Sequence, residues 1–453
     1  MRPRASAPAD PDERTSPLAS ERASDIRSTA SRAAALDVLQ AVLRHGRALD
    51  DVLVEHKMLA TLASRDRAFV RLLVATTLRR LGQIDALIDG ALETSLPERA
   101  VAARDLLRLG VTQIVFLATP VYAAVNETVE QCNAIGHRRM SGLVNAVMRR
   151  LSREGRMLAA EQDAPTLDTP DWLMRSWSTA YGPALARAIA TAHLDEPPLD
   201  FTCVAETGKW ASALEAQVLP TGSLRRFTGG AVAELPGYQE GAWWVQDAAA
   251  ALPALLFGDV EGRRIVDLCA APGGKTAQLA RDGAQVIAVD RSTTRLHRLA
   301  ENLKRLGLEA ETVASDATLW RPAAPVDGVL VDAPCSATGT IRRHPDIAHL
   351  KSPADIGRLV PLQARLLNAA IEMTRPGGLI VYCVCSLEAE EGPAQIAALI
   401  ERGAPVERVP VAADEVGGSP EFVTPEGDIR TLPCHWPKLG GLDGFYAARL
   451  RRL

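Results

Sequence analysis

Apolar residues recur along this chain with two different periods, and the change of period divides it. From about residue 28 to residue 156 they return every three or four positions. Leu36, Leu39, Val42 and Leu43 form one stripe, and Phe69, Leu72, Leu73 and Thr76 another. The pattern continues over 101–117, after Pro120 and over 139–152, with Gly and Pro at the breaks. An all-α bundle is the expectation. From about residue 241 short apolar runs take over, at 264–268, 285–289, 326–331 and 379–384, with helical stretches between them. Strand–helix alternation predicts a mainly parallel sheet with helices on both faces. Ligands of such sheets bind beyond the carboxyl ends of the strands.

Between these regions, 157–240 reads as a connecting α+β subdomain, with a strand near 199–205, a helix near 208–218 and a strand near 223–228. Thr169-Pro170-Asp171 has the form of an N-cap, a first-turn proline and an acidic first turn. Residues 1–26 hold few large apolar side chains and are expected to be a disordered tail. The expected division is therefore a tail at 1–26, a helical domain at 27–156, the connecting subdomain at 157–240 and an α/β domain at 241–453.

A length of 453 residues exceeds one ordinary domain, and 47% hydrophobic with 23% charged residues suits folded cores. No apolar run approaches the roughly 20 residues needed to cross a bilayer, and the N-terminus lacks the apolar centre of a signal peptide. Seven scattered cysteines point to free thiols in a reducing cytoplasm. The net charge of −4 does not announce nucleic acid, yet arginines come in bursts: Arg79 and Arg80, Arg138 and Arg139, then Arg149, Arg150, Arg153 and Arg156. Such bursts are either solvated helix faces or forks for RNA phosphates.

The candidate chemistry lies at the strand ends of the α/β region. Gly273-Gly274-Lys275-Thr276 resembles the end of a phosphate loop, but that motif requires glycine at position 269, where Cys269 stands. The spacing of a dinucleotide fingerprint is absent as well. What remains is a tight strand-to-helix turn that admits a ligand close to the backbone. Asp290 ends the next strand, placed for ribose hydroxyls, and Asp316 ends the third, placed toward an adenine. Acids in that series favour an adenosine cofactor without a diphosphate, with S-adenosylmethionine the best candidate.

Two thiol motifs follow, Asp332-Ala333-Pro334-Cys335 and Tyr382-Cys383-Val384-Cys385-Ser386. Cys383 and Cys385 lack zinc-ligand spacing and have no partner His, so no metal is expected. Buried small hydrophobes are one reading. Methyl transfer to carbon 5 of a pyrimidine is the other, because that carbon becomes nucleophilic only after a thiolate adds at carbon 6. Spacing alone does not separate Cys383 from Cys385.

The segments DLCAAPGGKT, VDAPCSATGT and YCVCSLEAEE resemble motifs I, IV and VI of the NOL1/NOP2/Sun family of RNA 5-methylcytosine methyltransferases, a likeness running over roughly residues 235–453. Asp443-Gly444-Phe445-Tyr446-Ala447 is similar to that family's last strand. Ala124-Val125-Asn126-Glu127 and Ser141-Gly142-Leu143-Val144-Asn145-Ala146-Val147 resemble the antitermination factor NusB. The order NusB-like then Sun-like is that of a bacterial 16S rRNA enzyme.

The resemblance implies a NusB-like helical bundle and a Rossmann-like class I methyltransferase domain, joined by the small α+β subdomain. It implies a monomer acting on 16S rRNA with S-adenosylmethionine through a covalent cysteine–cytosine intermediate. Action on tRNA or another RNA, and a non-catalytic RNA-binding assembly factor, are the alternatives. By the resemblance, Cys385 is the nucleophile, Cys335 assists product release, and Asp332 and Lys275 complete the catalytic group. Cys269, Ala270, Ala271, Pro272, Gly273, Gly274 and Lys275 would wrap the cofactor with Asp290, Asp316 and Asp332. Arg138, Arg139, Arg149 and Arg150 would contact RNA. Val384 and Gly392 depart from the family, which usually has threonine and asparagine there.

Overall fold

The computed structural model describes residues 17–97 and 100–453, with side chains from residue 29 onward. Of the tail expected at 1–26, residues 1–16 lie outside the described residues. Residues 17–26 lie in the first helix, Pro17–His45. The chain divides into two compact units, one of Met1–Thr76 with Leu87–Arg156 and the other of Thr77–Ala86 with Met157–Leu453.

The first unit is helical. The helices Val101–Val111, Val121–Ala134 and Ser141–Glu161 bury Leu106, Leu107, Ala124, Thr128, Val144, Val147 and Met148. Gly110 permits their close approach, since a Cβ there would lie 2.7 Å from Met148 Sδ and 2.8 Å from Thr128 Oγ1. In the helix Ser64–Arg79 the inward stripe is Val70, Leu73 and Val74, whereas Leu72, expected inside, is 36% exposed. The packed face is turned from the one the apolar residues alone suggested, because tertiary contacts choose among adjacent apolar stripes.

The second unit includes the helices Asp171–Tyr181 and Pro183–Ala192. Thr169 does not cap the first of these. Pro170 holds the cap position, and no side chain takes that role. A four-stranded antiparallel sheet follows, made of β1 (Leu199–Cys203), β2 (Gln217–Val218), β3 (Leu224–Arg226) and β4 (Trp243–Val245), in the order β2-β3-β1-β4. β4 falls beyond the boundary expected at 240. It joins this sheet because Trp243 lies edge-on to Phe201, ring centroids 4.7 Å apart, while pairing with Cys203.

The large sheet contains β5 (Arg264–Leu268), β6 (Gln285–Asp290), β7 (Glu311–Ala314), β8 (Val326–Asp332), β9 (Thr374–Val384), β10 (Val406–Arg408), β11 (Ile429–Thr431) and β12 (Phe445–Arg452). Its order is β7-β6-β5-β8-β9-β12-β10, with β11 also paired to β12. The first five in that order run parallel, and β12 runs antiparallel beside β9. This is the Rossmann-like sheet expected from the strand–helix alternation. Alternate residues serve opposite faces: Val329, Val331, Ile380, Tyr382 and Val384 join one core, and Leu330, Val381 and Cys383 the other. The chain runs outward from β5 through β6 and β7, then resumes on the other side with β8. That reversal opens a crevice at the carboxyl ends of β5 and β8.

An ionic cluster ties this sheet to the small one. Arg225 of β3 pairs with Asp200 of β1 at 2.6 Å, both fully buried. Arg342 meets Asp247 and Asp443 at 2.6 Å each, and Arg343 meets the same two at 2.5 and 3.2 Å. Asp247 also caps the helix Ala248–Leu255 by accepting from the Ala249 N–H at 2.8 Å, and Asp200 accepts from the Ala248 N–H at 3.0 Å. Burial opposes ionisation of Asp247, but Arg343 and Arg342 hold its carboxyl far below the usual carboxylate range. Removing one member strands a charge in a dry interior. Arg225→Ala should therefore cost about 3–5 kcal/mol, read as a lowered midpoint in urea unfolding.

Candidate active site

The loop after β5 forms the floor of the crevice. Cys269 adopts a left-handed conformation at φ 61°, the Ala271–Pro272 bond is cis, and Gly273 has φ 99°. A Cβ on Gly273 would lie 2.6 Å from Leu299 Cγ. The glycine is therefore required by packing against the helix Thr293–Leu306, not only by approach of a ligand. The helix Gly274–Arg281 then points its N-terminus into the crevice, where backbone N–H groups favour polar or anionic ligand atoms.

Four acids stand at or near the carboxyl ends of β5 to β8. Asp290, almost wholly buried, accepts from the Ser292 N–H at 2.9 Å and the Ala271 N–H at 3.3 Å, and pairs with Arg295 at 3.4 Å. Asp316 is exposed just past β7, and the hydroxyl and N–H of Thr318 hold its carboxyl below the usual range. Asp332 ends β8 and pairs with the buried Lys275 at 2.9 Å. The fourth acid, Asp267 of β5, was not singled out from the sequence. It is fully buried, Thr276 donates to one of its oxygens at 2.6 Å, and the other oxygen has no partner. Burial pushes its carboxyl up to about 7. An acid ending an apolar run just before a glycine turn was the signal available for it.

Lys275 works against burial, yet the carboxylate of Asp332 raises its pKa above the ordinary lysine value. Its ammonium also lies 5.0 Å from the Phe445 ring centroid. Cys269 is pushed up to about 12 by burial and by the carboxylates of Asp332 and Asp290.

The two thiol motifs meet across β8 and β9. Cys335 Sγ lies 3.5 Å from Cys385 Sγ, and both residues are partly exposed. Cys383 is fully buried in the core and donates its thiol to Asp332 at 3.4 Å. Burial and that carboxylate raise its pKa well above the thiol norm. Cys335 is also held well above the norm, by its contact with Cys385 and by burial. The Gly339 N–H donates to the Cys385 carbonyl at 2.9 Å, and the Gly444 N–H to the Gly339 carbonyl at 2.8 Å. A Cβ on Gly339 would sit 1.9 Å from Gly444 O, so glycine is obligatory there.

The two family departures have local reasons. Val384 is buried in the sheet core. A Cβ at Gly392 would lie 2.8 Å from Nη2 of Arg430, whose Nη1 donates to the Ser386 carbonyl at 2.6 Å.

In the helical unit, Arg138 and Arg139 are exposed in a short 3₁₀ turn, and Arg149 and Arg150 are exposed on the helix Ser141–Glu161. Arg149 reaches Asn145 at 3.2 Å and Arg150 reaches Glu154 at 3.4 Å. Arg79 and Arg80 differ. Arg79 is buried and donates to the Arg342 carbonyl, and Arg80 donates to the Leu194 carbonyl, each at 2.8 Å. No group of three or more His, Cys, Asp or Glu among the described residues is arranged to hold a metal, and no described helix is long and apolar enough to cross a membrane.

Residues 254–451 match the family model described as 16S rRNA methyltransferase RsmB/F, and residues 29–153 match that of the NusB family. The ribosomal RNA small subunit methyltransferase B of Cronobacter sakazakii is 34% identical over 440 residues, covering 92% of this chain and 98% of that protein. The enzyme of the same name from Pasteurella multocida is 33% identical over 450 residues, covering 93% and 96%. Among solved structures, PH0851 superposes with a TM-score of 0.71 at 21% identity, covering 94% of this chain and 99% of that one. NSun6 from Pyrococcus horikoshii, described with SFG, gives a TM-score of 0.54 at 20% identity, covering 62% and 98%. Those two likenesses show the fold. Matched along nearly its whole length by sequence as well, the chain belongs to the family of the ribosomal RNA small subunit methyltransferases B.

Proposed function

We propose that the protein methylates carbon 5 of a cytosine in 16S rRNA, with Cys385 as nucleophile and Cys335 as the thiol that assists release. The observation that carries this reading is the facing pair Cys335–Cys385 at 3.5 Å beside Asp332 and Lys275, with Cys383 buried away from it. S-adenosylmethionine supplies an electrophilic methyl group carried on a sulfonium. Asp290 would hold its ribose, Asp316 its adenine side, and residues 269–275 its backbone-facing atoms. The unpartnered oxygen of Asp267 suits a ligand ammonium.

The thiolate of Cys385 forms a bond to carbon 6, and the electron pair of the 5,6 double bond becomes available at carbon 5. Carbon 5 would take the methyl as the donor's sulfonium–methyl bond breaks, that bond's electron pair staying on what becomes a neutral thioether. The carbon 5 proton would then leave to water, its electrons re-forming the 5,6 double bond as the bond from sulfur to carbon 6 breaks and restores the thiolate. Asp332, fixed by Lys275, faces the edge of the base. A base reaching these sulfurs must leave its stack, which favours a loop or an opened helix as target.

Labelled methyl transfer to undermodified small-subunit RNA and to tRNA, followed by bisulfite mapping, tests the reading. The expected product is 5-methylcytosine in the 16S RNA. Product on tRNA alone would move the substrate, and none on either RNA would sink the proposal. Cys385→Ser should abolish turnover without an adduct, whereas Cys335→Ala should trap enzyme on RNA. Loss of turnover in Cys383→Ala with no adduct in Cys335→Ala would reverse these roles.

Two further outcomes follow from the charges. A bound cation favours ionised Asp267, whose carboxyl titrates near about 7 in the free protein. Binding then releases a proton, so donor affinity measured by calorimetry should rise from pH 6 to pH 8, and Asp267→Asn should bind more weakly with a flat pH profile. Replacing Arg138, Arg139, Arg149 and Arg150 by Ala should weaken rRNA binding at every salt concentration and reduce the salt slope by up to about four.

A further inference from the structure

Glu391 is fully buried next to the thiols, yet none of the groups that hydrogen-bond its carboxylate is a cation. One carboxylate oxygen accepts from the Ser336 N–H and from Gln363 Nε2, each at 3.0 Å, and the other accepts from the Ser336 hydroxyl at 2.5 Å. The Glu391 carbonyl accepts from the Tyr382 hydroxyl at 2.6 Å. A buried carboxylate held only by neutral donors is costly unless its placement matters.

That placement joins the two thiol loops. Ser336 directly follows Cys335, and its hydroxyl lies 3.1 Å from the hydroxyl of Ser386, which directly follows Cys385. Gln363 also donates to the Pro334 carbonyl at 2.9 Å, so the residues on both sides of Cys335 answer to one carboxylate. We propose that Glu391 is a positioning residue for the methyl transfer: through Ser336 and Gln363 it fixes the loop of Cys335 against that of Cys385 and so governs the release step. The inference rests on the proposed cytosine chemistry and goes beyond it by assigning a residue that touches neither substrate nor sulfur. Contact with Cys385 and burial already favour the protonated form of Cys335, and the charge of Glu391 acts in the same direction. The neutral thiol of Cys335 is thereby kept facing the nucleophile.

Glu391→Gln keeps the shape and one acceptor while removing the charge. In a denaturing-gel assay on 16S RNA, single-turnover methylation should stay within about threefold of the unaltered enzyme. Steady-state turnover should fall by about tenfold or more, with covalent adduct accumulating. The melting temperature should move by less than about 4 °C. Ser336→Ala should give the same pattern more weakly. Unaltered turnover in Glu391→Gln, or a parallel loss of single-turnover rate, adduct and melting temperature, overturns the assignment. The unaltered enzyme and Cys335→Ala, run alongside, test the underlying chemistry: no 5-methylcytosine from the first and no adduct from the second remove both proposals, whereas a failure confined to the Glu391 and Ser336 variants removes this one alone.

Discussion

The buried arrangement of three aspartates and three arginines is the constraint from which the site's geometry follows. Asp200 and Arg225 come from the small sheet, Asp247 from the start of the helix Ala248–Leu255, Arg342 and Arg343 from the segment after Cys335, and Asp443 from the turn into β12. Each ion taken singly would be expensive to dehydrate, and only the complete set neutralises itself. Its geometry therefore fixes five chain segments at once. Two of them border the thiols: Arg342 holds the far end of the Cys335 loop, and Asp443 leads into Gly444, whose N–H anchors Gly339 under the Cys385 carbonyl. The sulfurs are placed by charges that never touch them.

The pleat of β9 then divides the cysteines. Cys383 faces the core and is consumed as a small buried side chain hydrogen-bonded to Asp332, while Cys385, just past the strand end, opens onto the crevice. Two thiols separated by one residue thus have opposite surroundings: one is locked as a thiol, and the other stands 3.5 Å from Cys335.

Much of this was legible in the sequence, and the reasons differ by feature. The change from a helical to a strand period marks a local property, so the helical unit and the strands β5, β6, β8 and β9 could be read directly. The turn after β5 and the acids at or near strand ends could be placed as well, because the period places them in space. Side-chain partners distant along the chain could not be read. Asp200, Arg225 and Asp443 look like ordinary scattered charges; Asp200 finds Arg225 on a neighbouring strand, and Asp443 finds Arg342 and Arg343 about a hundred residues away. Arg79 and Arg80 have the same local look as Arg149 and Arg150, yet the first pair serves backbone carbonyls and the second faces solvent. Only family likeness separates Cys385 from Cys383 in the sequence; in the fold Cys383 is fully buried and Cys385 is partly exposed. Asp267, next to last in β5, has the look of a break in an apolar run, and its role depends on a burial that the sequence does not display.

The position of β12 has a consequence for how the molecule is made. β12 covers the outer side of β9 along Leu379 to Val384, yet it is translated well after β9. Until it emerges, the strand leading to Cys385 is an unpaired edge of largely apolar residues, open to pairing with any other extended chain. Gly444, which secures the Gly339 loop, arrives at the same moment as β12. The nascent chain can thus build the crevice from β5 to β8 while the thiol pair is still unassembled, and the step that covers an exposed strand edge is the same step that brings Gly444 against the loop of Cys335 and Cys385.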